Sequence, residues 1–128
     1  MESVRQDALL FFGRHPAAFP LCEALTEKLL SAFPQTVIRV QKTQMTFSGR
    51  HVYACVSLLR VRKKAELPDP YIVVTLGLPY PLDSDRVAAK SEPHPGRWTT
   101  HIVIGAPEEI DDELMSWAEQ AYSFAQSK

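Results

Sequence analysis

The strand-like segments of this chain follow one another in one block, and helical patterns occur only before and after it. Residues 36–104 carry short β-branched or apolar runs between Gly, Pro and Asp turn signals, whereas 4–33 and 110–124 repeat apolar side chains every three or four positions. A parallel sheet needs strands that alternate with crossover helices. The block order therefore predicts an α+β domain, with an antiparallel sheet and its helices packed on one face.

Two helices are predicted before the strands and one after them. The first ends at Gly13, which favours a left-handed cap, and the second runs from Pro16 to Phe33 before Pro34 stops it. The last begins at Pro107 or one turn later, where five acidic residues suit the positive end of the helix dipole. Its apolar side chains at helical spacing predict a buried stripe of Ile110, Leu114, Trp117, Ala121 and Phe124.

About five strands are predicted between these helices, at 36–40, 45–47, 51–61, 71–78 and 98–104, with a short edge segment at 86–90. A turn at 48–50 joins the second and third strands as a hairpin. The run 51–61 is apolar on both faces, which predicts a central strand covered on both sides for part of its length. Residues 92–96 contain two prolines and a glycine and are predicted to form a loop.

The length and charge of the chain limit the classes of protein to which it can belong. With 128 residues, one domain spanning 1–128 and one apolar core are expected. The formal net charge of -1 lacks the strong basic excess of a typical nucleic-acid-binding domain, although it leaves room for a local basic patch. Nucleic acid is therefore disfavoured as a partner but not excluded.

The length and position of the apolar runs bear on the cellular location of the protein. The first ten residues carry charges where a signal peptide needs an apolar segment, and no apolar run is long enough to span a membrane. A cytoplasmic protein without membrane contact is therefore expected.

Cys22 and Cys55 lie in apolar runs without a CxxC motif, so both are predicted to be buried reduced thiols.

Three segments resemble a family of bacterial domains of unknown function, number 5655. They are residues 40–50, residues 97–101, and the closing pattern of residues 112–114, Trp117 and residues 121–122. The resemblance extends over nearly the whole chain. It implies an α+β domain that occurs alone or joined to other domains, and it assigns no activity. It also suggests that Lys42, Gln44, Arg50 and His101 belong to one site.

These four residues, with Arg97, are the candidate ligand-binding residues. Lys42 and Gln44 share a face if their segment is extended, and His101 lies on the strand face opposite Ile102. Cationic side chains with an amide and an imidazole can bind a carboxylate or a phosphate through charge-assisted hydrogen bonds. The alternative is an ordinary solvated sheet face, on which charged side chains discourage pairing at the sheet edge.

No sequence motif identifies a catalytic centre. The chain has no GxSxG elbow, no glycine-rich phosphate loop and no histidine pair at helical i, i+4 spacing. The acidic run 108–113 is explained by its position at a helix N-terminus. The sequence therefore predicts no catalytic residue, no metal site and no cofactor.

The leading hypothesis is a non-enzymatic module that binds an anionic small molecule or an acidic protein segment on the open sheet face. One alternative is an enzyme that uses His101 as general acid or base. Another is nucleic-acid binding through a basic segment comprising Arg60, Arg62, Lys63 and Lys64, with Arg86. Exposed apolar residues on the central strands can also form a homodimer contact.

Overall fold

The computed structural model of the protein describes residues 2–127, which form three α-helices and six β-strands. The helices are α1 (Glu2–Phe11), α2 (Phe19–Ala32) and α3 (Asp112–Gln126). The strands are β1 (Val37–Val40), β2 (Gln44–Ser48), β3 (Val52–Ser57), β4 (Ile72–Leu78), β5 (Val87–His94) and β6 (Arg97–Ile104). Short 3-10 helices lie at Pro16–Ala18, Lys64–Glu66 and Pro107–Glu109.

All neighbouring strands pair antiparallel, in the order β1-β2-β3-β4-β6-β5. The predicted α+β class is confirmed, with six strands where about five were expected. The prediction of a loop over 92–96 is wrong, because β5 continues to His94. Pro93 lacks a backbone donor, but an edge strand tolerates it, and the pairing of β5 with β6 shifts register between Ser91 and His94.

Helices cover one face of the sheet. α3 packs on β3 and β4, α2 reaches β2 through the Cys22 Sγ–Met45 Sδ contact of 3.6 Å, and α1 contacts the edge strand β1. The stripe predicted for α3 is buried at Ile110, Leu114, Trp117 and Ala121, whereas Phe124 is half-buried. Apart from Val73, the buried apolar side chains of the sheet and helices form one cluster.

The two-faced apolar pattern of 51–61 has a local cause. The strand ends at Ser57, and its register against β2 shifts between Phe47 and Ser48. This β-bulge lets the consecutive residues Tyr53 and Ala54 both be buried. The Tyr53 ring packs against Tyr122, with ring centroids 5.1 Å apart, on the helix-covered side. The bulge therefore explains why two consecutive apolar residues of β3 are buried.

Arg86 connects the start of β5 to the N-terminus of α3. Its Nη1 donates to Asp111 Oδ1 at 2.9 Å and to Glu113 Oε1 at 3.0 Å, and its Nη2 donates to the Glu109 carbonyl at 2.6 Å. Asp111 is also the N-cap of α3, because its side chain accepts from the Leu114 N–H at 3.0 Å. The last helix is thereby fixed against the sheet by capping and ion pairing together.

We expect Asp111→Ala to lower the free energy of unfolding by about 1 kcal/mol, because the cap is lost, and Asp111→Asn to lower it much less. The Leu114 N–H and then Arg86 hold the pKa of the Asp111 carboxyl below its usual 3.8. Its contribution is therefore present above about pH 4 and is lost as pH falls through the folded pKa.

Urea denaturation at pH 7 and pH 3 measures both effects. The neighbouring variant Asp112→Ala, which keeps the cap, is the control. Equal losses for Asp111→Ala and Asp111→Asn at pH 7 would contradict the capping role.

Candidate functional site

The sheet face away from α2 and α3 carries a row of paired residues, one from each strand. Strand register places side by side Arg39, Thr46, Cys55, Thr75, His101 and Ala89. Side chains alternate along a strand, so the neighbours of these residues, such as Phe47 and Ile102, belong to the core. The open face therefore presents small and polar side chains in a defined lateral order.

A concave region of about 880 Å³ lies on this open face. Its floor consists of residues from β3, β4 and β6, including Cys55, Thr75 and His101. Its walls come from the end of α1 and the following residues 13–15, from residues 42–44 in the β1–β2 turn and at the start of β2, and from residues 58–59 after β3. We call this region the open-face cavity. Its volume is within the range of small-molecule sites.

The charged side chains of the open-face cavity are of one sign. The basic residues that line it are Arg14, His15, Lys42 and His101, and no described lining residue is Asp or Glu. The whole chain, by contrast, has 15 acidic residues against 14 Lys and Arg. Neutral hydrogen-bonding groups of the lining include Gln44, Ser57 and Thr99. The cavity is therefore a local positive region on a nearly neutral protein.

His101 is the half-buried member of the basic set. Its Nδ1 shares a hydrogen bond of 2.8 Å with Thr75 Oγ1 on the neighbouring strand. Burial lowers the pKa of the imidazole below its usual 6.5, so the ring is neutral at pH 7. No described residue forms a hydrogen bond with its Nε2. His101 Nε2 can therefore form a hydrogen bond with a molecule in the cavity or accept a proton from it.

Three of the five candidate residues from the sequence line the open-face cavity, namely Lys42, Gln44 and His101. Lys42 lies in the turn between β1 and β2, which the hydrogen bond from Gln41 N–H to the Gln44 carbonyl closes. Arg50 lies in the β2–β3 turn, where its backbone N–H donates to Gln126 Oε1 of α3 at 2.6 Å. Arg97 is exposed at the start of β6 and does not line the cavity.

No sequence pattern pointed to Arg14, His15 or Thr75, which also line the cavity. The two basic residues lie in the connection after α1, and their position beside β3, β4 and β6 is a tertiary feature without a local pattern. Thr75 was identifiable only through strand register, because it pairs with both Cys55 and His101. Knowledge of the sheet order would have placed it in the site.

Neither cysteine is an activated nucleophile. Cys22 is buried, and burial raises its pKa to about 12. Cys55 is half-buried in the cavity floor, and burial raises its pKa too. Both are thiols at neutral pH, whereas a reactive cysteine needs a thiolate.

The five basic residues predicted as a possible nucleic-acid contact lie in different parts of the surface. Arg60 and Lys64 line a second concavity of about 580 Å³, which shares Arg14 and His15 with the open-face cavity and also contains Asp69. Arg86 instead forms ion pairs with Asp111 and Glu113 beside α3. The five basic residues therefore do not form one continuous contact surface.

Within residues 2–127, no group of three or more His, Cys, Asp or Glu side chains is arranged to hold a metal ion. The helices over the same range are all too short or too polar to cross a membrane.

Comparison with known proteins identifies a family. The sequence profile described as "Domain of unknown function (DUF5655)" matches residues 10–125, which include every residue of the open-face cavity. No curated protein matches the chain, and no solved structure does. Because the profile covers nearly the whole chain, this protein belongs to the DUF5655 family.

Proposed function

We propose that this domain binds an anionic small molecule in the open-face cavity. The observation that carries the proposal is the charge of the lining, which contains Arg14, His15, Lys42 and His101 and no described carboxylate. Guanidinium and ammonium groups form charge-assisted hydrogen bonds with carboxylates and phosphates. An anion in this cavity meets donors from several sides and no repulsive charge.

The lining residues divide into two kinds. Arg14 and Lys42 are exposed at the walls, where water and salt weaken the field of each charge. They therefore increase the association rate of the ligand more than they stabilise the bound complex. Gln44, Ser57 and His101 are half-buried, and a hydrogen bond there is less exposed to competition from water. Affinity therefore depends on wall charges and floor groups together.

The cavity favours a small molecule over an acidic protein segment. An extended segment binds by adding to a sheet edge or by lying along a long groove. The basic residues instead surround a concavity whose floor is the middle of the sheet, formed by β3, β4 and β6. The strands at the two edges, β1 and β5, contribute none of its described lining residues.

A second candidate function is general acid or base catalysis by His101. The neutral imidazole in a cavity is the observation that favours it, because a base must be unprotonated near neutral pH. In that case His101 Nε2 accepts a proton from the bound molecule.

Incubation of the protein with each anion that it binds, with the anion followed by NMR, tests catalysis directly. Conversion that His101→Gln abolishes while binding persists would support it. Ligands that bind and remain unchanged after long incubation would rule it out.

We expect Lys42→Ala and Arg14→Ala each to weaken anion binding by up to about fivefold, since an exposed ion pair contributes roughly 0.2–1 kcal/mol. A thermal-shift screen with phosphate, pyrophosphate, acetate, citrate and nucleoside monophosphates identifies the ligand, because a ligand that binds the native state raises Tm.

Arg62→Ala is the matched control, because Arg62 is exposed and lies outside the open-face cavity. Arg50→Ala and Arg97→Ala test whether the site extends beyond the cavity. If Arg62→Ala weakened binding as much as Lys42→Ala, the effect would be one of net charge and the assignment would be wrong.

We also expect anion affinity to rise as pH falls from 7 to 5. The folded pKa of His101 lies below 6.5 without ligand, and a bound anion favours the imidazolium and raises that pKa. An NMR titration of His101 with and without ligand measures the change. His94, which is exposed in the β5–β6 hairpin, is the internal reference. An affinity with the same pH dependence in His101→Gln would contradict this role.

A further inference from the structure

The exposed large apolar side chains of the protein concentrate around the open-face cavity. The described chain has five of them, namely Leu9, Leu10, Val37, Val52 and Leu59. Three line the cavity: Leu10 is 80% exposed, Leu59 is 53% exposed and Val52 is 46% exposed. Single exposed apolar residues need no explanation, but a group of them beside a charged site indicates a binding surface.

Charge is distributed unevenly along the floor. Ser57, at one end of β3, pairs with Gln44, which follows Lys42 in the chain. At the other end, the lining residues are Val52 of β3, Gly77 of β4 and Thr99 of β6, of which Gly77 and Thr99 pair with each other, and none of the three is charged. The five steps from Ser57 to Val52 span about 17 Å at the usual rise of a strand. The cavity thus has a basic end and an uncharged, partly apolar end.

Building on the proposed function, we propose that the ligand is an amphipathic monocarboxylate with an unbranched apolar chain. The carboxylate lies at the end formed by Lys42 and Arg14, and the chain runs along β3 towards Val52. A second charge on the ligand would lose water at the uncharged end without gaining a partner. Val52 and Leu10 lose contact with water when the chain covers them, whereas Leu59 follows Ser57 and flanks the end at which the carboxylate lies.

Chain length is the variable that separates this inference from simple anion binding. A buried methylene group tightens binding up to roughly fourfold, so partial burial predicts a two- to fourfold gain per methylene. We expect affinity, measured by calorimetry below micelle-forming concentrations, to rise steadily from acetate through octanoate to dodecanoate, whose extended chain approaches Val52. Octan-1-ol, which lacks the charge, is expected to bind at least tenfold more weakly than octanoate, and dodecanedioate, which carries two charges, at least tenfold more weakly than dodecanoate.

The chain provides two matched pairs of variants. Val52→Thr and Val37→Thr change exposed strand valines of similar exposure, of which Val52 alone lines the cavity. Leu10→Ser and Leu9→Ser make the same comparison on α1. The cavity variants are expected to flatten the dependence on chain length, whereas their partners leave it unchanged. Lys42→Ala is expected to weaken all the acids by the same factor.

The outcomes distinguish this inference from the proposed function. If acetate or phosphate binds in the cavity but chain length has no effect, the amphipathic ligand is wrong and anion binding stands. If no anion binds, the proposed function fails. If sedimentation shows a dimer that Val52→Thr and Leu10→Ser dissociate, and octanoate does not compete with it, the apolar residues form a subunit contact and the inference is overturned.

Discussion

Burial of the sheet face beneath α2 and α3 is the constraint on which the rest of the structure depends. Phe47, Val56 and Ile102 are fully excluded from water on that face. Because side chains alternate with a period of two, shifting any strand by one residue would expose this set, and the register is therefore strongly fixed. The same constraint forces Cys55 and His101 onto the other face in a fixed order. The position of the site is thus a consequence of how the core is built.

The fold was largely predictable because it follows from periodicity. Helical spacing and β-branched runs identify three helices and most strands, whereas β5 was underestimated because Pro93 resembles a strand breaker and is tolerated at an edge. The site was only partly predictable. The backbone N–H of Arg50 donates to the Gln126 side chain of α3. The preceding residue is Gly49, where the Tyr122 and Gln126 side chains leave no room for a Cβ atom. Such contacts have no local signal.

A net charge near zero conceals a separation of charge within this molecule. The carboxylates of Asp111 and Glu113 surround Arg86 at the N-terminus of α3, and Arg86 also lies over the Trp117 ring, 5.5 Å from its centroid. The open-face cavity, on the other side of the sheet, contains basic residues alone among its described charged groups. Composition sums over both regions, so it excludes a strongly basic protein without revealing a basic site.

The hydrogen bond between Thr75 and His101 lets the site change its hydrogen-bonding character without moving its heavy atoms. A hydroxyl can donate or accept, so Thr75 Oγ1 satisfies Nδ1 in either tautomer of the neutral ring and in the imidazolium. When Nδ1 accepts, the proton lies on Nε2, which then presents a donor to the cavity. When Nδ1 donates, Nε2 presents a lone pair. Rotation of the hydroxyl hydrogen, together with loss of the proton from one ring nitrogen and gain of a proton from solvent by the other, adapts the floor to a protonated or an ionised partner.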